Sequence, residues 1–269
     1  MTTLTDIIAA TRRGVEESIS TADLAALEQR AAANKPRGFR KALELVSASG
    51  VAVIAELKKA SPSRGQIRSD FNPAKLATEL EQAGAAALSV LTDEQFFQGS
   101  LANLEAASTG TRLPCLRKDF IIDEFQVLEA RAYGADAILL IVAALEQQDL
   151  LSLKKRAAEF QLDVLCEVHD EEELGRALDA GFDLVGVNSR DLHTFKVDLD
   201  TAFRVAQMLP PEVVAVAESG IERGRDIAQL RSAGYNAFLI GETLMRASSP
   251  GDELRRLLAE AGSAASAAF

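Results

Sequence analysis

Glu56 and Lys58 close the apolar run Val-Ala-Val-Ile-Ala and stand two residues apart. In an extended segment that spacing puts both side chains on the same side of the strand. A carboxylate and an ammonium placed together offset each other's cost of burial, so a Glu–Lys network is expected there. Groups of these two types can give and take protons, and a Lys–Glu pair in a dry pocket is expected to have pKa values drawn toward neutrality. The same kind of ending recurs along the chain. Arg117-Lys118-Asp119, Glu167 after Leu165-Cys166, Asn188-Ser189-Arg190, Glu218-Ser219-Gly220 and Gly241-Glu242 each follow an apolar run. One polar residue at a strand end marks only where the chain meets water, and a purely structural ion network is the alternative reading of the Glu–Lys pair. Six such endings among eight runs point instead to side chains gathered around one pocket.

An anion site is also legible. Ser219-Gly220-Ile221 and Gly241-Glu242 carry small residues that let backbone N–H groups approach a phosphate. The loop Lys59-Ala60-Ser61-Pro62-Ser63-Arg64-Gly65 is basic and is either a cover for an anionic substrate or a plain surface loop. His169 and His193 are too isolated for a metal site, and His169 is placed either behind Glu167 or at the surface. The acidic run Asp170–Glu173 suits a helix N-terminus. With no Trp and two Tyr, an apolar wall for an aromatic ligand falls to Leu and to Phe96, Phe97, Phe120 and Phe125, which are core residues otherwise.

The elements that must hold these groups alternate. Short β-rich runs lie at Val51–Leu57, Ala86–Leu91, Pro114–Arg117, Ala137–Val142, Asp163–Glu167, Leu184–Asn188, Val213–Ala217 and Ala237–Ile240. Helical patterns separate them at Pro73–Gln82, Leu101–Ser108, Glu124–Tyr133, Glu146–Phe160, Glu171–Ala180, Leu199–Leu209 and Arg223–Ser232. Continuous apolar runs suit parallel strands buried on both faces, and the alternation gives βαβ units. Gly84, Gly134, Gly181 and Gly234 each end a helix just before an even-numbered strand, a weak quarter repeat. Eight units without a Gly-rich dinucleotide turn favour an α/β fold, a single (β/α)8 TIM barrel, over a doubly wound open sheet. In such a barrel the strand C-termini form the catalytic face.

Before residue 50 the apolar residues Leu4, Ile7, Ile8, Val15 and Ile19 fall at helical spacing. Ser20 to Asp23 reads as a cap for a second helix, and Phe39–Val46 as a third. The chain is therefore divided into an N-terminal helical extension (1–50), a barrel (51–261) and a flexible tail (262–269), all one domain. Its 269 residues, 48% hydrophobic, match one barrel of about 250 residues. A net charge of −11 disfavours nucleic acid as a partner. Two cysteines inside apolar runs, no signal peptide and no membrane-length apolar stretch lead us to expect a cytoplasmic protein that does not engage a membrane.

Five segments carry a family resemblance: Ala55-Glu-Leu-Lys-Lys-Ala-Ser-Pro-Ser63, Leu88-Ser-Val-Leu-Thr-Asp93, Leu116-Arg-Lys-Asp-Phe120, Gly186-Val-Asn-Ser-Arg-Asp-Leu192 and Ala217-Glu-Ser-Gly-Ile221. In order and at five strand ends, they resemble indole-3-glycerol phosphate synthase of tryptophan biosynthesis. That family closes the indole ring of 1-(2-carboxyphenylamino)-1-deoxyribulose 5-phosphate with loss of CO2 and water. The resemblance implies a phosphorylated small-molecule substrate, no metal and no organic cofactor. It implies Lys118 as the general acid of ring closure, Lys58 on the substrate carboxylate and in dehydration, and Glu56 as its partner. Glu167 becomes the second acid/base group. Asn188 and Arg190 orient the sugar hydroxyls and the carboxylate side, and Glu218 binds a hydroxyl or a lysine. Ser61, Ser219, Gly220, Gly241 and Glu242 surround the phosphate, while Phe97, Phe120 and Leu139 wall the aryl ring. Some members carry Ser where this chain has Glu242, and a carboxylate near the phosphate would repel it, so its side chain is expected to turn away and leave its N–H usable. Phosphoribosylanthranilate isomerase, a rival barrel, would need a Cys–Asp pair where this chain has Glu-Leu-Lys. A silent paralogue that only binds phosphate would not need the whole charged set. A monomer or weak homo-oligomer is expected.

Overall fold

The computed structural model describes residues 3–191 and 196–266. Leu192 and His193 lie outside the described residues. Eight parallel strands close into a barrel: β1 (Ala52–Leu57), β2 (Ala87–Leu91), β3 (Cys115–Lys118), β4 (Ala137–Ile141), β5 (Asp163–Val168), β6 (Leu184–Asn188), β7 (Val214–Glu218) and β8 (Ala237–Ile240), with β8 paired to β1. Closure removes the open-sheet alternative. The strands are the apolar runs of the sequence with ends moved by at most one residue. The third starts at Cys115 because Pro114 has no N–H for the ladder, although its carbonyl still accepts from Leu88 N–H at 3.0 Å. Gly84, Gly134, Gly181 and Gly234 all have φ between 72° and 111°, the left-handed turn that lets a helix reverse into a strand.

Helices cover the outside. The extension supplies α1 (Leu4–Thr21), α2 (Leu24–Ala33) and α3 (Phe39–Ser47). The barrel adds α4 (Pro73–Gln82), α5 (Glu94–Phe97), α6 (Leu101–Thr109), α7 (Glu124–Ala132), α8 (Gln147–Glu159), α9 (Glu171–Asp179), α10 (Leu199–Ala206), α11 (Gly224–Ser232), α12 (Glu242–Arg246) and α13 (Pro250–Ser266). The short α5 and α12, and a small hairpin pairing Ala60–Ser61 with Gly65–Gln66, have too few residues for a periodic signal. The last helix, α13, runs through Ser266, and residues 267–269 lie outside the described residues.

The extension crosses the barrel from one end to the other. Phe39 and Leu43 of α3 are fully buried among the inward side chains of the barrel. Arg40 N–H donates to Asp163 at the start of β5 at 2.9 Å, and Arg37 pairs at 2.6 Å with Asp136 just before β4. These contacts put α3 under the N-terminal mouth. Leu4 and Ile7 of α1 lie at the opposite mouth.

Strand register stacks the interior in layers. From Glu56 on β1, a step of one residue forward at each pairing reaches Lys118 on β3, Glu167 on β5 and Glu218 on β7, and returns to Glu56 after the eighth pairing. Alternate strands contribute each layer, as in barrels of this type. The layer beneath, from the even strands, is Ser89, Leu139, Gly186 and Leu239, and the next is Ile54, Leu116, Leu165 and Val216. An apolar core is thus capped by one layer of three carboxylates and one lysine.

Candidate active site

That layer floors a cavity of about 920 Å³ at the C-terminal mouth, and every residue that the family resemblance placed in the site lines it. Lys118 Nζ donates to Glu167 Oε2 at 2.5 Å and to Glu218 Oε2 at 2.7 Å. Glu56 pairs instead with Lys58, the neighbour two positions on. Two glycines make room for the carboxylates. A Cβ on Gly186 would overlap Glu218, and one on Gly241 would overlap Glu56. Gly241, read from the sequence as a phosphate residue, therefore also seats a carboxylate. Asn188 Nδ2 donates to Glu167 Oε1 at 3.2 Å, while Asn188 Oδ1 accepts from Ser219 Oγ at 2.8 Å and from Arg190 N–H at 3.0 Å. The amide is fixed in orientation by these three bonds.

Strand alternation separates the residues at the end of β3. Lys118 faces the cavity, whereas Arg117 is buried against α7, donating to Gln126 O at 2.8 Å and pairing with Asp119 at 3.1 Å and Glu129 at 3.2 Å. His169 bridges behind Glu167, 3.3 Å from its Oε1, and reaches Glu173 of α9 at 3.0 Å.

The expectation that the Lys–Glu pairs move toward neutrality is corrected for Lys118. Burial pulls its ammonium down, but Glu167, Glu218 and Glu56 together outweigh that and raise it. Burial pushes Glu167 up, yet Lys118 and His169 hold it well below the usual carboxylate range. Glu218 is the group brought near neutrality. Burial pushes it up to about 8, with Lys118 opposing and the charge of Glu167 adding. Burial lowers His169, but Glu167 and Glu173 outweigh it and raise the ring to about 10.

These shifts set a pH dependence of stability. His169 titrates near 6.5 when unfolded and about 10 when folded, so its contribution is full below 6.5 and lost as pH rises through 10. Glu218 titrates near 4.5 unfolded and about 8 folded, so its contribution is full below 4.5 and lost as pH rises through 8. Glu167 has the opposite sign, but its loss begins only as pH falls below its ordinary 4.5. The melting temperature should fall from pH 6.5 to pH 10, by on the order of 5 °C in calorimetry. A flat or rising melting temperature over that range would contradict this electrostatic picture.

At the β7 and β8 ends Ser219, Gly220, Gly241 and Glu242 line the cavity. Ser219 (φ 66°) and Gly220 (φ 77°) are consecutive positive-φ residues. For Ser219 the conformation is strained, as local backbone at functional sites often is. The side chain of Glu242 does not turn away as expected. Its carboxylate meets Arg64 at 3.0 Å, Arg246 at 3.1 Å and Arg190 at 3.8 Å, all on the cavity wall. These guanidinium groups remove the repulsion that argued for an outward carboxylate. On the apolar side the rings of Phe97 and Phe120 lie 6.4 Å apart and tilted by 41°. Leu139 lies with them on the wall, and so do Leu4, Ile7 and Ile141, which were not singled out from the sequence. Arg223 and Arg225 also line the cavity and carried no local signal. Phe125 sits on α7 and is not among the lining residues.

A family model described as Indole-3-glycerol phosphate synthase matches residues 4–257. A protein named indole-3-glycerol phosphate synthase from Koribacter versatilis (strain Ellin345) is 60% identical, over 95% of this chain and 98% of its own length. One of the same name from Burkholderia ambifaria is 49% identical, over 93% of this chain and 97% of its own. Among solved structures, 3-hexulose-6-phosphate synthase from Salmonella typhimurium aligns with a TM-score of 0.63 at 12% identity, over 80% of this chain and 100% of that one. Thiamine phosphate pyrophosphorylase from Pyrococcus furiosus aligns at 0.61 and 16%, over 80% and 96%. At such identities the structural likeness speaks to the fold alone.

Proposed function

The chain belongs to the indole-3-glycerol phosphate synthase family, and from that premise we propose how its side chains divide the closure of the indole ring of 1-(2-carboxyphenylamino)-1-deoxyribulose 5-phosphate. The observation that carries the reading is Lys118, held between Glu167 and Glu218 on the floor of a cavity whose rim can seat a phosphate. The phosphate binds at Ser219, Gly220 and the start of α12, with Ser61 closing from the strand-1 loop. The aryl ring lies against Phe97, Phe120 and Leu139. Lys58, paired with Glu56, meets the substrate carboxylate, and Asn188 and Arg190 hold the sugar hydroxyls and the carboxylate side.

The ring carbon bearing the carboxylate attacks the ketone, and a C–C bond forms. Lys118 gives its proton to the carbonyl oxygen. Its raised pKa is no obstacle, because the developing alkoxide is the stronger base. CO2 then leaves, and its bonding electrons neutralise the iminium nitrogen. The new hydroxyl departs as water with a proton from Lys58, and Glu167 takes the proton from the N–CH2 carbon, completing the aromatic ring. One proton is taken up per turnover and restores the starting protonation. Glu218, whose carboxyl burial pushes above the usual range, hydrogen-bonds a hydroxyl or holds Lys118.

We also read the chain as one domain acting in the cytoplasm, as a monomer or weak homo-oligomer. The buried, unpaired Cys115 and Cys166 suit a reducing compartment. The test of the activity is turnover of the carboxyphenylamino substrate, followed by the indole fluorescence of the product. Turnover is expected without added metal or cofactor. A folded protein that binds phosphate but gives no product would favour a silent binding paralogue.

A further inference from the structure

Glu167 is gripped from two sides, and only one grip belongs to the reacting set. Its Oε2 accepts from Lys118 at 2.5 Å, and its Oε1 faces Asn188 Nδ2 at 3.2 Å and His169 Nε2 at 3.3 Å. The His169 contact is at ion-pair distance, and Nε2 is buried with this carboxylate as the acidic oxygen it faces. The other ring nitrogen, Nδ1, lies 3.0 Å from Glu173 Oε2, and the same oxygen accepts His169 N–H at 2.8 Å. Glu173 is itself fixed in the first turn of α9, where its N–H donates to the capping Asp170 at 2.8 Å. Both ring nitrogens therefore face carboxylate oxygens. A neutral imidazole has one N–H, so either tautomer would set a lone pair against a carboxylate, and only the imidazolium suits both. The nearby charged groups among the described residues are Glu167 on β5 and Glu173 on α9. Lys118 of β3 lies across Glu167, and Asp170 and the Glu171–Arg204 pair lie at the start of α9.

We propose that His169 is a positioning residue, an imidazolium anchored by Glu173 that keeps Glu167 aimed and ionised while Lys118 is engaged with the substrate. The proposal rests on Glu167 being the base that takes the carbon-bound proton. Once Lys118 has given up its proton it is a neutral amine, and the charge that held Glu167 as a carboxylate is gone. Without a second cation Glu167 would take up a proton before it could remove one from carbon. His169 supplies that cation from the side away from the substrate, and the chain Glu173–His169–Glu167 ties α9 to the floor of the cavity.

The experiment is the pH profile of kcat, which reports groups in the substrate complex, for His169→Gln, which retains a hydrogen-bonding side chain and removes the charge. The acid limb is expected to move up by about one pH unit, with kcat lowered about tenfold at neutral pH. Glu173→Gln, which leaves the ring in place, is expected to move the limb the same way by a smaller amount, and it carries the test if His169→Gln fails to fold. An acid limb unmoved in the folded variants overturns the proposal, whether or not kcat falls, because a merely structural role predicts that result. Glu167→Gln assayed alongside separates the two layers of the reading. If it keeps a near-normal rate, Glu167 is not the base and the proposal falls with it. If it is nearly inactive while the limb of the other variants stays fixed, only the role of His169 is overturned.

Discussion

Lys118→Ala is expected to lower kcat by about 10³- to 10⁴-fold while the barrel stays folded near neutral pH. Two losses combine. The ketone oxygen loses its proton donor, and the carboxylates of the charged layer lose the cation between them. Removing one partner of a buried ion pair commonly costs about 3–5 kcal/mol, because the remaining charge is stranded. Here the penalty is softened. Glu218 already titrates near neutrality, and Glu167 and Glu218 can share a proton once the lysine is gone. Below pH 7 the variant should melt only a few degrees lower than the parent, and the deficit should widen as pH rises. Lys118→Arg separates the two losses. It restores a positive charge but offers a fork that does not readily release its proton, so stability should recover more than rate does. The check is kcat from product fluorescence beside melting curves at pH 6 and pH 8. A rate within tenfold of the parent for Lys118→Ala would remove it from the proton-donor role.

The barrel was legible because its strands are apolar on both faces and its connections are short. The chemistry was legible because charged residues stop those runs. The same apolar continuity hid the phase. Leu116, Arg117 and Lys118 sit consecutively, and nothing in a run buried on both sides tells which of two adjacent cations faces inward. Register settles it by putting Lys118 in the layer of Glu56, Glu167 and Glu218 and sending Arg117 to α7. The pairing of Glu56 with Lys58 was readable, since the two lie two apart on one strand. The Lys118–Glu218 contact spans a hundred positions and follows only from closure.

Other parts of the site depend on contacts that local sequence does not encode. Leu4 and Ile7 carry a helical stripe, but that stripe does not say that α1 crosses the catalytic mouth. Glu242 meets arginines from three different segments, and a repulsion argued from the phosphate alone left those partners out of account. His169 lies two residues after Glu167 and four before Glu173, spacings that belong to a strand on one side and a helix on the other. The change of period between them concealed that one ring could touch both carboxylates.

Glu167→Gln is expected to lower kcat by about 10²- to 10³-fold, and Lys118→Ala/Glu167→Gln to be at most a few-fold slower than Lys118→Ala alone. Glutamine keeps the shape of the side chain and an oxygen for Lys118 but has no basic oxygen to take the proton from carbon. It also frustrates its neighbours. The amide group that meets Lys118 with its oxygen presents NH2 to Asn188 Nδ2, a donor facing a donor, so Asn188 must turn and give up the bonds it accepts from Ser219 Oγ and Arg190 N–H. The loss should therefore reach the phosphate side and raise KM as well. The charge balance changes in a measurable direction. The negative charge of Glu167 is one of the forces holding Glu218 up near 8, and Lys118 would be left with Glu218 as its one carboxylate partner. Glu218 should then ionise at lower pH, and a basic limb due to it should shift down in the variant. Independent residues would give multiplicative losses in the double variant. A lysine and a carboxylate that work as one unit give losses that overlap, because the second substitution removes a group whose partner is already gone. Fully multiplicative losses, with a basic limb unmoved in Glu167→Gln, would mean that the contact between Lys118 and Glu167 is a resting-state ion pair with no part in the reaction.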